Sequence, residues 1–170
     1  YINKYLKYRG PDETSVREIN NYTFIHNLLH ITGKMILQPF IKNDIVCLFN
    51  GEIYNYKSFG NYKSDGECLI DLYENFGDDF FNKLDGEFAI CLLDFKKNML
   101  YFTRDIFGTK PLYYNIDEND ITIATYESGL KALKCSNIRE VKNNTVYIHD
   151  INNNKTKTKI LHHFDFSRQY

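Results

Sequence analysis

Apolar residues in this chain fall in short runs broken by polar turns, a pattern that predicts strands more readily than long helices. Strands are expected over Thr23–His30, Asp44–Phe49, Glu87–Asp94, Met99–Thr103, Leu112–Ile116, Ile121–Thr125 and Thr145–Ile148. Several carry apolar residues on both faces, which fits strands covered on both sides. A helical stripe of Leu69, Ile70, Leu72 and Tyr73 predicts a helix opened by Asp65-Gly66-Glu67 and closed near Phe76, with Gly77 placed to end it. A shorter helix is expected over Asp78–Leu84, and Ile53–Phe59 can start another.

Connections decide the architecture. Polar turns such as Lys96-Lys97-Asn98 and Asp117-Glu118-Asn119-Asp120 are too short for a crossover helix, so neighbouring strands should pair as antiparallel hairpins. The expected class is a layered α+β domain with mostly antiparallel sheets, not a doubly wound one. After Asn137 the chain becomes rich in Asn and Lys, and Asn152–Lys159 reads as a solvated turn between edge strands.

At 170 residues and 43% hydrophobic content, one domain spanning residues 1–170 with a sizeable core is expected. A formal net charge of −1 argues against nucleic-acid or polybasic membrane partners. No apolar stretch reaches membrane-spanning length and the start shows no signal-peptide core, so the expected compartment is the cytoplasm. Cys47, Cys68 and Cys91 sit inside apolar runs and read as small buried hydrophobes; Cys135 lies in a more polar segment. None of the cysteines has the close spacing of a metal or redox pair, and His162-His163 lacks further ligands at metal spacing, so neither a metal nor a cofactor is expected.

The chemistry concentrates in Asn50-Gly51-Glu52-Ile53-Tyr54-Asn55-Tyr56, where a strand expected to break at Asn-Gly sets a side-chain amide beside a backbone N–H. Two such donors are the parts of an oxyanion hole. Around this run stand Arg9-Gly10-Pro11-Asp12, Gln38-Pro39-Phe40, Ser64-Asp65-Gly66-Glu67, Leu84-Asp85-Gly86-Glu87-Phe88-Ala89 and Arg104-Asp105-Ile106-Phe107-Gly108-Thr109-Lys110-Pro111-Leu112-Tyr113-Tyr114. In this order and spacing the motifs resemble the class II, N-terminal-nucleophile glutamine amidotransferase domain of the asparagine synthetase family. The resemblance implies the four-layer αββα sandwich of N-terminal-nucleophile hydrolases.

It also implies a set of roles. Asn50 and Gly51 match the residues that stabilise the tetrahedral oxyanion, and Glu52 and Asp65 those that hold the α-amino group of glutamine. Taken singly, Asn-Gly is also a hairpin turn and Asp65 also a helix cap. The family's nucleophile is an N-terminal cysteine whose own α-amine, titrating near neutrality, handles the proton. This chain opens Tyr1-Ile2-Asn3-Lys4 with no cysteine before Cys47, so the first strand and the nucleophile are expected to lie outside it. Where the family has an arginine that clamps the glutamine carboxylate, this chain has Leu28, which offers a carboxylate nothing. His30, two residues on, is a candidate substitute on the same strand face.

Arg9, Asp12, Arg104 and Asp105 sit in turn-forming Gly/Pro contexts and are expected to lock loops. The run Phe164-Asp165-Phe166 is similar to the family's segment that hands over to a synthetase domain. No Ser-Gly-Gly-x-Asp-Ser pyrophosphate loop occurs, so the resemblance implies the ammonia-supplying half alone, with glutamine and an ATP-dependent synthetase domain or subunit as partners. A non-catalytic binding or regulatory module is the alternative.

Overall fold

The structure, a computed structural model, describes residues 3–30, 35–118 and 120–163. The handover segment Phe164-Asp165-Phe166 lies outside the described residues. A six-stranded antiparallel sheet forms the centre, in the order β11 (Lys155–Ile160), β10 (Thr145–Asp150), β6 (Met99–Arg104), β5 (Gly86–Asp94), β4 (Ile45–Ile53) and β3 (Phe40–Lys42). Two smaller sheets lie over one face of it: the hairpin β1 (Glu13–Ile19) with β2 (Tyr22–Leu28), and the set β8 (Ile121–Ala124), β7 (Tyr113–Ile116) and β9 (Arg139–Glu140).

Strand alternation sends side chains of the central sheet into two cores. Cys47, Phe49, Ile53, Phe88, Ile90 and Leu92 face helix α2 (Cys68–Phe76) and the 3-10 helix Gly77–Lys83, which contribute Leu69, Tyr73, Phe80 and Phe81. Val46, Ala89, Leu93, Leu100, Phe102 and Tyr147 face the other way, against Phe24 of β2, Tyr114 of β7 and Ile123 of β8. Outside that second sheet layer lie α1 (Asn3–Leu6) and α3 (Glu127–Ala132): the Asn27 side chain on the outer face of β2 donates to Asn3 at 2.6 Å, and α3 packs on β7 and β8. The fold is the four-layer αββα sandwich, with all sheet pairing antiparallel among the described residues.

The helical stripe forms as its spacing predicts, with Ser64 at the N-cap position, a 3-10 turn Asp65–Glu67, and Gly77 (φ 58°) ending α2. Four expectations change. β4 does not break at Asn-Gly but pairs with β5 through Ile53, and only a 3-10 turn at Tyr56–Ser58 follows. The polar tail is a turn only at its Asn residues; Lys155–Ile160 pairs along its length with β10 as an edge strand. Asp78–Leu84 becomes the 3-10 helix Gly77–Lys83. Strand β2 ends at Leu28, before His30.

Candidate active site

The site grows from the end of β4. Gly51 adopts φ 146°, and a Cβ there would fall 2.0 Å from the Glu87 carbonyl of β5, so only glycine keeps the strands paired. Its N–H direction follows from its neighbours. Phe49 N–H donates to Gln38 Oε1 (2.7 Å), and Ile53 N–H donates to Asp65 Oδ2 (2.8 Å). Successive odd positions of a strand send their N–H groups to the same edge, so Gly51 N–H, between these two, points past the end of β3.

Two side chains clamp that edge. Buried Gln38 mimics a strand residue, since its Nε2 also donates to the Phe49 carbonyl (2.9 Å), and its own carbonyl accepts from Ser15 of β1. Asp65 is not the helix cap: Ser64 occupies that place, and the Glu67 carboxylate reaches back to the Ser64 N–H at 3.0 Å. Asp65 instead ties α2 to the end of β4, accepting from Ile53 and from Gly66 N–H (3.0 Å). Asn-Gly is likewise not a hairpin turn, since both residues lie inside a paired strand.

Facing follows the two cores. Asn50 and Glu52 continue the even positions Val46 and Leu48, so they face the second sheet layer. Phe24, His26 and Leu28 form the inner face of β2 and face back. By alternation, Asn50 and Glu52 on the central sheet and Leu28 on β2 therefore face the rim of the space between the sheet layers. Leu28 is half-buried and Glu52 is exposed. Burial pushes the His26 imidazole down to about 4, so β2 carries a neutral ring at pH 7, and its Nδ1 has no hydrogen-bond partner among the described residues.

His30 does not share that face, because the strand has ended; it is exposed and its N–H donates to Asp12 Oδ2 at 2.7 Å. Asp12 also donates its N–H to the Leu28 carbonyl (3.1 Å), and the Gly10 α-carbon lies so close to β2 that a Cβ would fall 2.2 Å from the Asn27 carbonyl. The Arg-Gly-Pro-Asp turn thus holds the end of β2 that carries Leu28. Arg9 reaches away from this rim to the Tyr126 hydroxyl and ring.

The Arg104–Pro111 loop is held from within. Buried Asp105 accepts from the N–H groups of Phe88 (3.1 Å), Phe107 (2.9 Å) and Thr109 (2.9 Å), while Arg104 donates to Glu140 (2.6 Å) and to the carbonyls of Lys110 (2.7 Å), Val141 (3.0 Å) and Gly108. This loop delivers a cation that motif reading passed over: Lys110 Nζ lies 2.9 Å from Glu87 Oε1, and Glu87 stands opposite Glu52 in the β4–β5 register. Gln38 was likewise visible only as part of a motif. Its signal is a glutamine in an otherwise apolar stretch next to proline.

The internal cysteines make poor nucleophiles. Burial holds the Cys47 thiol well above its usual range, and burial followed by the charge of Asp65 pushes Cys68 up to about 12. Burial alone pushes Cys91 up to about 12. Cys135 is half-buried and its N–H ends α3 on the Leu130 carbonyl (3.1 Å). No cluster of metal-binding side chains occurs among the described residues, and no helix there is long and apolar enough to cross a membrane.

An αββα sandwich with mostly antiparallel sheets is the architecture of the N-terminal-nucleophile amidotransferases. The sequence profile of the glutamine amidotransferase domain matches residues 1–165, and the chain belongs to that family, in its class II, asparagine synthetase branch. It is 30% identical over 168 residues to putative asparagine synthetase [glutamine-hydrolyzing] 2 of Methanocaldococcus jannaschii, covering 82% of this chain and 33% of that protein. Against asparagine synthetase [glutamine-hydrolyzing] 2 of Bacillus subtilis it is 36% identical over 131 residues, covering 71% and 18%. The fold is shared with the glutamine phosphoribosylpyrophosphate amidotransferase of B. subtilis solved with ADP and GMP, at TM-score 0.65 and 18% identity over 82% of this chain and 35% of that one. The chain spans about a third or less of the length of these relatives.

Proposed function

We propose that this domain hydrolyses glutamine to glutamate and supplies the ammonia to an ATP-dependent synthetase domain or subunit, in the cytoplasm. The observation that carries the reading is the end of β4, where adjacent residues of one paired strand bring a side-chain amide, Asn50, and the Gly51 N–H to the strand end beyond β3. In the implied chemistry, the N-terminal cysteine thiol of the family adds to the glutamine side-chain carbonyl and gives its proton to the α-amine. Negative charge gathers on the carbonyl oxygen, where the two donors stabilise it. The tetrahedral species collapses, the C–N bond breaks, and the amine returns the proton to the departing ammonia. Water then cleaves the thioester, releasing glutamate and regenerating the thiol. Glu52 is the exposed carboxylate for the substrate ammonium, while Asp65, already holding two backbone N–H groups, fixes the strand end beside it.

The test is Asn50→Ala in the full-length protein. Turnover should fall on the order of a hundredfold, about 3 kcal/mol of transition-state stabilisation, with a smaller change in KM and an unchanged melt. Turnover within a fewfold of wild type would reduce Asn50 to a structural strand residue. Leu28 supports a second reading, a binding or regulatory module without catalysis, because β2 offers leucine where the resemblance to the family leads one to expect a carboxylate clamp. Absence of glutamate release by the full-length protein would select that module.

A further inference from the structure

Glu52 can hold a substrate ammonium only if no protein cation occupies it first, and the structure places one close by. The β4–β5 register sets Glu52 directly opposite Glu87 on the face that carries Asn50. Opposed positions in an antiparallel pair bring Cβ atoms to about 5 Å, well within the sweep of a lysine side chain. Lys110 is that lysine, and its Nζ is engaged with Glu87 at 2.9 Å, both side chains being half-buried. Its main chain cannot drift, because Arg104 Nε donates to the Lys110 carbonyl at 2.7 Å and Asp105 holds the adjoining Thr109. Among the described residues no ion pair includes Glu52.

We infer that Glu87 is a positioning residue: it holds Lys110 off Glu52, leaving the Glu52 carboxylate free for the substrate ammonium. The inference rests on the proposed glutamine-hydrolysing reading and adds a residue to it. Two like charges facing each other across a strand pair repel, so Glu87 is a costly neighbour for Glu52 unless Lys110 compensates it. Removing the Glu87 charge frees Lys110 to turn to the carboxylate that faces Glu87 across the strand pair, Glu52. The substrate ammonium must then displace a resident cation.

Glu87→Gln, Lys110→Met and the double variant of the full-length protein separate this from a simple brace. Glu87→Gln should raise KM for glutamine about five- to tenfold with kcat within about twofold, since a half-buried ion pair must be broken for binding. Adding Lys110→Met should return KM to within about twofold of wild type, a rescue that loss of a second brace could not give. Glutaramate, which is glutamine without its α-amino group, should show no change in KM across the series. Equal KM for glutamine in wild type and Glu87→Gln, or a double variant worse than either single one, would overturn the inference. Wild-type hydrolysis of glutamine alongside that result would leave the proposed function standing. No hydrolysis by wild type would remove both.

Discussion

The two faces of the central sheet are built to different standards. On the helix face, Phe80 and Phe81 are fully buried with ring centroids 4.0 Å apart, and the polar side chains at its centre are paired. Tyr73 donates to Asp94 at 2.8 Å and lies 3.3 Å from the Tyr101 hydroxyl, with Lys97 Nζ 3.1 Å from the same phenol. The face toward the second sheet layer is just as closed in its middle, where Phe102, Tyr114 and Tyr147 meet at 4.9–5.3 Å. Toward the ends of β2 and β4 it changes. There His26 Nδ1 lacks a partner among the described residues, Leu28 is half-buried and Glu52 is exposed. Apart from the Ser64 hydroxyl at the start of the α2 segment, buried without a partner among the described residues, the helix face uses up its polar groups on itself; the other face leaves some over at its rim, where a ligand can be recognised.

The comparison predicts that damage to the helix face lowers stability and leaves chemistry alone. Phe80→Ala removes a fully buried ring from the centre of that core and should cost about 3–5 kcal/mol. For a domain of this size the melting temperature should drop by roughly 10–15 °C. Glutamine KM, measured well below the new melt, should stay within about twofold. A KM that moves with the melt would mean that the two faces are mechanically coupled, and the division drawn here would fail.

The same division explains what could be read from the chain alone. Strands whose side chains enter both cores, such as β4, β5 and β6, announce themselves as continuous apolar runs bounded by polar turns. β1 is hard to read because its only apolar residues are Val16, which is exposed, and Ile19, which is partly buried against the second core, although the Asn20-Asn21 turn, with φ 47° and 67°, carries a hairpin signature. β11 looked like a turn because its Lys155, Lys157 and Lys159 are charged. Charge on an exposed edge strand blocks unwanted pairing, so polarity there reflects position in the sheet. At the candidate site, Asn50-Gly51-Glu52 is legible as a motif because its residues are adjacent in the sequence. Gln38 on Phe49, and Lys110 on Glu87 opposite Glu52, are not, for they meet only through sheet register. His30 was misplaced on a face because nothing local in the sequence says that β2 stops at Leu28.

Acid sharpens the contrast from the other direction. The His26 imidazole titrates near 4 in the fold because burial disfavours its charged form, against about 6.5 when unfolded. The unfolded chain therefore takes up the proton first, so stability from neutral His26 is complete above pH 6.5 and is lost as pH falls toward 4. Discounted for its partial exposure, the loss should be about 2–3 kcal/mol. His149, lowered in the same direction by burial and touching Thr156 at 2.9 Å, adds to it. Carboxylates held low by their partners, Asp71 beside Lys42 among them, lose stability only below their unfolded range near 4, so the windows separate. His26→Phe should flatten the pH 6.5–4.5 segment of a melt series by about 2 kcal/mol. A slope that persists in full would mean that His26 is charged or solvated in the fold.

The smallest expected effect tests the rim itself. Leu28 stands at the position where the resemblance to the family leads one to expect an arginine, and the turn that holds it, through Asp12 and Gly10, is intact. If position 28 lacks only the cation, Leu28→Arg should restore a charge-assisted contact to the glutamine carboxylate of about 1.5–2 kcal/mol, a gain of roughly ten- to thirtyfold in affinity. The readout is a glutamine titration of the full-length protein, with a melt of the variant beside it. An arginine left unpaired between the sheet layers would destabilise the fold, and the melt would report it. Tight glutamine binding in wild type, unchanged in the variant, would place the carboxylate on another group at the rim. A well-folded variant that binds no better would turn the leucine from a missing clamp into a feature of the pocket, suited to an amide substrate with no carboxylate at that position.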